Sequence, residues 1–173
     1  MKFEETTVNK EYVFKGKILN LRRDKITLPD GKPAEREVVE HSGGSAVLCE
    51  RDDKIFLVKQ FRYPYKQVLL ELPAGKLNAG EKPELTAIRE LLEEGGIIAE
   101  RVELMFTVYP TPGYTDEKIY IYKAHGLKDG VAKPDDGEFV SGAWYDKKEL
   151  KTMINDGTIK DGKTLIALLS VLK

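Results

Sequence analysis

Three carboxylates crowd one short stretch of the chain. In RELLEEGGI, Glu90, Glu93 and Glu94 stand at positions i, i+3 and i+4, with Arg89 beside them. On an α-helix these spacings share a face, and like charges there repel by roughly a few tenths of a kcal/mol per pair. Partial burial would raise their pKa values, whereas a bound divalent cation reverses that sign by stabilising the ionised forms. Hard oxygen donors at this density suit magnesium, with manganese as the alternative, rather than zinc, which prefers nitrogen and sulfur. A solvated acidic face capped by arginine has the same composition, so the surroundings must decide.

The elements that would position the stripe can be read around it. Pro83 suits a first helical turn, Leu85, Ile88, Leu91 and Leu92 supply an apolar stripe, and Gly95-Gly96 end the helix. Upstream, SAVLCE and KIFLVKQF flank the charged turn Arg51-Asp52-Asp53 and predict a hairpin with a buried face. VLLELPAG predicts a short strand stopped by Pro73 and Gly75. RVELMFTVYP and EKIYIYKAHGL predict strands on either side of the loop PTPGYTDE. The acidic loop KDGVAKPDDGE precedes a strand at FVSGAWYD, and helices near KKELKTMIND and KTLIALLSVLK close the chain. Strands interspersed with helices on both sides predict a layered α/β domain.

Residues 11–40 read differently, as short antiparallel strands joined through the turn Pro29-Asp30-Gly31. Such a unit is too thin to be stable alone. It must pack on the main body or on a second subunit, and the expected division is an N-terminal β unit over 1–42 and a main domain over 43–173.

Bulk composition excludes several classes. At 173 residues the chain suffices for one domain and a small accessory unit. Lys and Arg total 28 against 29 for Asp and Glu, which argues against a nucleic-acid partner, since such proteins show a basic face. No apolar run approaches the ~20 residues of a membrane span, and MKFEETTVNKEYVF has no apolar core of a secretory signal. The expected setting is cytoplasmic, without a membrane. Cys49 is the single cysteine, so neither an intrachain disulfide nor a cysteine zinc cluster can form; within SAVLCE it reads as a buried strand position.

The stretch from Gly75 to Ile97 matches the pattern G-x5-E-x7-R-E-U-x-E-E-x-G-U, with U aliphatic, at every fixed position: Gly75, Glu81, Arg89, Glu90, Leu91, Glu93, Glu94, Gly96 and Ile97. At background frequencies of about 5–7% per residue type, the invariant letters match by chance about once in 10⁸ windows. This is the Nudix box, and the chain resembles a Nudix hydrolase. The resemblance implies an α/β/α sandwich with a mixed sheet, carrying the small N-terminal antiparallel β unit. It also implies magnesium-dependent hydrolysis of a diphosphate linked to another group. By the same resemblance Glu90, Glu93 and Glu94 hold the metal together with the carbonyl of Ala74. Arg89 orients these glutamates, and Glu81 supports the loop. Metals that polarise phosphoryl oxygens and acidify water make a covalent nucleophile unnecessary.

KQFRYPY, LLELPAG, YPTPGYTDE, PDDGEF and the N-terminal VFKGKILNLRRDKITLPDG with REVVEH are similar to the ADP-ribose pyrophosphatase branch. That implies a small-molecule nucleoside diphosphate substrate, ADP-ribose cleaved to AMP and ribose 5-phosphate, and a homodimer sharing its active sites through the N-terminal strands. Arg36 and Arg62 match positions that contact substrate phosphates, a task suited to guanidinium forks. The general base is expected on the loop with Asp135, Asp136 and Glu138, with Glu138 chosen and Glu93 as the alternative. Tyr12, Phe14, Tyr63 and Tyr65 could stack on an adenine or lie in the core. A dinucleoside polyphosphate or another nucleotide sugar as substrate, and a non-hydrolytic nucleotide-sensing module, remain the competing readings.

Overall fold

The computed structural model describes residues 3–172. By its internal contacts the chain divides into two compact units, one made of the residues up to Gly43 with Tyr109–Lys118, the other of Gly44–Val108 and Ile119 onward.

In the first unit, β1 (Thr6–Lys15), β2 (Leu19–Thr27) and β3 (Pro33–His41) form an antiparallel sheet in the order β1-β2-β3. Gly31 lies at φ +85° in the β2–β3 turn, a conformation that glycine adopts without steric cost. Its N–H donates to the Leu28 carbonyl at 2.9 Å. Tyr109–Lys118 returns to β3: Val39 donates to the Tyr114 carbonyl at 2.7 Å and accepts from the Asp116 amide at 3.2 Å. Ile26 and Asp24 are buried, with Asp24 paired to Arg22 at 2.9 Å. The other apolar side chains fare less well: Val8 is 68% exposed, Val13 59%, Phe14 55% and Ile18 66%. Three strands bury too little surface to hide them.

The second unit runs β4 (Gly44–Leu48), β5 (Glu50–Arg51), β6 (Lys54–Arg62), β7 (Gln67–Glu71), β8 (Ala74–Lys76), α1 (Pro83–Gly95), β9 (Ile97–Val108), β10 (Ile119–Asp129), β11 (Val140–Asp146), α2 (Lys147–Asn155) and α3 (Gly162–Val171). One sheet, ordered β8-β4-β10-β9, is mixed, because β4 and β10 pair in parallel. The other, β11-β6-β5 with β7 also on β6, is antiparallel.

Strand periodicity explains the layering. Successive side chains of a strand point to opposite faces, so Ala46 and Leu48 of β4 join one core while Val47 and Cys49 join another. β6 divides likewise, Ile55 and Leu57 against Phe56 and Val58. The first core is closed by Leu150 of α2 and Ala167 and Leu168 of α3, the second by Ala87 and Leu91 of α1. The result is the α/β/α sandwich with a mixed sheet. Among the described residues, no helix is long and apolar enough to cross a membrane. Cys49 is fully buried, and burial pushes its thiol up to about 12.

Three local expectations need correction. The hairpin across Arg51-Asp52-Asp53 is minimal, pairing Glu50 with Ile55 and Arg51 with Lys54, because β4 departs after Leu48 to pair with β10 and β8. VLLELPAG holds two strands, β7 and β8, that join different sheets on either side of Pro73. Leu85 and Leu92 are 53% and 38% exposed, and the buried face of α1 is Thr86, Ala87, Glu90, Leu91 and Glu94. The helix buries Glu90 and Glu94 beside Leu91, where a wholly apolar stripe was expected.

Candidate active site

The acidic helix is placed by its ends and by the strands beneath it. Pro83 occupies the first turn and Gly96, at φ +61°, caps the other end by donating to the Leu91 and Leu92 carbonyls. Ser45 of β4 donates its hydroxyl to the Pro83 carbonyl at 2.8 Å. β8 supplies the floor. Its Ala74 amide donates to Glu94 Oε2 at 3.0 Å, and Gly75 lies so close that a Cβ there would sit 1.9 Å from Glu90 Oε1.

Arg89 gathers the remaining acids. Its Nε and Nη2 donate to Glu81 at 3.0 and 3.1 Å, and its Nη1 to Glu90 and Glu93 at 2.6 and 2.8 Å. These bonds hold Glu81 down at about 2 and raise the arginine above its ordinary value, Glu81 being the largest cause. Glu81 also accepts from the Asn78 amide at 3.1 Å, which ties the loop before the helix.

Glu90 and Glu94 behave oppositely. Burial pushes Glu90 up to about 7 against the pull of Arg89, and pushes Glu94 up to about 8 against the Ala74 amide. The charge of Glu93 also raises Glu90, that of Glu90 raises Glu94, and that of Glu138 raises both. Glu138 itself is exposed, on the turn where its amide donates to the Asp135 carbonyl at 3.0 Å. Its loop is stitched to the end of α1, since Gly130 donates to the Gly96 carbonyl at 2.7 Å and Lys133 to the Glu93 carbonyl at 2.9 Å.

Among the described residues, no three Asp, Glu, His or Cys side chains already surround a common point; Arg89 occupies oxygens of Glu90 and Glu93. The donor set nevertheless fits a hard divalent cation. It offers hard oxygen donors, and of its two buried carboxylates Glu90 is paired to Arg89 while Glu94 accepts only a backbone amide, that of Ala74, so a bound cation would supply the charge that Glu94 needs to ionise.

The two expected phosphate contacts part company. Arg62, at the end of β6, donates Nε and Nη2 to the two oxygens of buried Glu71 at 2.6 Å each. It is near enough to Glu94 for each to shift the other. Arg36 belongs to the first unit, where its Nε donates to Glu5 at 3.0 Å. Tyr12, Phe14, Tyr63 and Tyr65 are all exposed. Sequence reasoning overlooked Glu71, Asp161, Lys163 and Thr164. Asp161 caps α3 by accepting from the Thr164 amide, and the Thr164 hydroxyl accepts from the Leu72 amide at 2.8 Å. The capping pattern D-x-x-T was the signal available.

Comparison with known proteins is decisive for ancestry. The NUDIX domain model matches residues 39–168. The chain belongs to the Nudix family. A nucleoside diphosphate sugar hydrolase N-terminal domain model matches residues 5–39 of the same Nudix chain. "Methanol dehydrogenase activator" from Bacillus methanolicus is 40% identical over 96% of this chain and 91% of its own. "ADP-ribose pyrophosphatase" from Bacillus subtilis (strain 168) is 38% identical, over 95% and 91% respectively. A crystal structure of an ADP compounds hydrolase superposes with a TM-score of 0.85, covering 97% of this chain and 92% of that one at 20% identity. At that identity the likeness speaks for the fold. Nudix hydrolases generally use divalent metal ions.

The raised carboxylates make a pH prediction. With Glu90 near 7 and Glu94 near 8 in the fold, against 4.5 ordinarily, the metal-free native state holds more protons than the unfolded chain across that window. These groups therefore favour folding most below about pH 4.5, and the advantage is lost as pH rises through about 7 to 8. Divalent-ion binding at about pH 7 is expected to release about one proton. Calorimetry in two buffers of different ionisation enthalpy measures it; release of none would place the cation away from Glu90 and Glu94.

Proposed function

We propose that the protein is a magnesium-dependent ADP-ribose pyrophosphatase, cleaving the diphosphate to AMP and ribose 5-phosphate. The observation that carries this reading is the 38% identity to the Bacillus subtilis ADP-ribose pyrophosphatase over nearly the whole chain. The complete box supports it. Glu90, Glu93, Glu94 and the Ala74 carbonyl are the proposed metal donors. When bound, the cation supplies charge neutralisation and Lewis acidity at the diphosphate. Arg89 holds Glu90 and Glu93 in register, and the free edge of Arg62 meets a phosphate oxygen. The proposed base is Glu138, whose exposed carboxylate can take the proton of the attacking water; Glu93 is the alternative.

A panel of nucleotide sugars incubated with magnesium, its products separated by chromatography, tests the assignment. ADP-ribose is expected to turn over fastest, and a panel left intact overturns the reading. The 40% identical relative named for activating methanol dehydrogenase favours a second reading, a domain that acts on another enzyme.

Glu138→Gln is expected to lower kcat by about 10²-fold with little change in divalent-ion affinity, as loss of a general base does. Wild-type turnover in Glu138→Gln, with Glu93→Gln inactive, moves the base into the box. The exposed Val8, Val13, Phe14 and Ile18 support a homodimer in which a second copy covers them through a two-fold interface. Sedimentation at assay concentration is expected to give the dimer mass, and a fully active monomer excludes shared sites.

A further inference from the structure

Arg62 does not act alone. Glu71, only 2% exposed, accepts both of its guanidinium bonds and a third from Lys163 Nζ. Lys163 is in turn held by the Asp161 carboxylate at 3.0 Å. Asp161 is the N-cap of α3, so the chain of contacts runs from that helix through Lys163 and Glu71 to Arg62. Two cations and two anions balance around the buried Glu71, with the Lys163 side chain 10% and that of Arg62 37% exposed, and Arg62 and Lys163 together hold Glu71 below the usual carboxylate range despite its burial. An arginine needing only to pair with one carboxylate would not require a second buried cation. Burying Lys163 costs desolvation that one exposed ion pair would not repay. What the arrangement secures is direction. With Nε and Nη2 spent on Glu71, Arg62 keeps its Nη1 edge and lies within electrostatic reach of Glu94.

We propose that Lys163 and Glu71 are positioning residues that aim the free edge of Arg62 at the diphosphate of the substrate. The inference rests on the pyrophosphatase reading, and ADP is chosen as probe because every candidate nucleoside diphosphate substrate shares its diphosphate. Lys163→Met is isosteric without the charge, and leaves the Arg62–Glu71 bonds able to form but free to pivot. Titration calorimetry of ADP against the full chain is expected to show binding weakened about tenfold in Lys163→Met and largely restored in Lys163→Arg. Arg62→Ala is expected to weaken binding at least as much. In the Arg62→Ala background, Lys163→Met should have no further effect, since the lysine acts only through the arginine. Glu71→Gln, which preserves volume, reads the same chain from its middle link if Lys163→Met proves unstable. Undiminished ADP binding in Lys163→Met, or a full additional loss on top of Arg62→Ala, overturns the proposal. If wild-type protein binds ADP in this pattern yet spares ADP-ribose, it is the pyrophosphatase reading that fails and the positioning role that stands.

Discussion

Glu94→Gln is expected to lower kcat by about 10³-fold, with the fold intact. Glu94 is 5% exposed and accepts from the Ala74 amide at 3.0 Å, a bond the glutamine oxygen keeps. Its ionisation is already disfavoured by burial, which pushes the group up to about 8. Removing the charge therefore relieves a desolvation cost on the order of a few kcal/mol in the metal-free protein. The same charge is what a cation at the diphosphate requires, and losing such a ligand forfeits several kcal/mol of transition-state stabilisation, roughly three decades in rate. Melting temperature without metal should hold or rise while turnover collapses. Near-wild-type kcat at saturating magnesium would remove Glu94 from the metal site.

Gly75→Ala is expected to lower kcat by about 10²-fold through geometry alone. Gly75 is not among the positive-φ glycines, so the backbone accepts alanine and the constraint is space. The new Cβ would meet Glu90 Oε1 at 1.9 Å and Cδ at 2.2 Å. β8 is pinned by its pairing to β4, Gly75 opposite Ser45, so the carboxylate must move. Misplacement of a catalytic group by about 1 Å costs on the order of a hundredfold. Steady-state kinetics with a magnesium titration checks it. A variant with unchanged kcat and unchanged magnesium dependence would mean that the position of Glu90 is not critical.

How far the fold could be read in advance depended on the range of the interaction. Alternation in SAVLC and KIFLV and the Pro83 and Gly96 signals are local, and the elements they imply are present as β4, β6 and α1. Sheet membership is not local. SAVLCE and KIFLVKQF adjoin in sequence, yet β4 belongs with β10, a partner brought in from residues 119–129. The buried face of α1 was misread for a related reason. Periodicity ranks leucines inward and glutamates outward, whereas here Glu90 and Glu94 are inside and Leu85 is out. A functional site overrides the hydrophobic pattern in this way.

The sequence by itself determined the box, the chemistry its carboxylates suit, and the family, because those depend on residue types at fixed spacings along one helix and its flanking loops. Only the tertiary structure decided what each charge faces. Arg89 binds three acids because the loop carrying Glu81 folds back over the helix. Glu90 and Glu94 are raised because β8 passes beneath them and excludes water. Arg62 is committed to Glu71, and Glu71 to Lys163, across 92 residues of sequence separation. Solvation and long-range pairing are properties of the assembled fold, and no spacing along the chain encodes them.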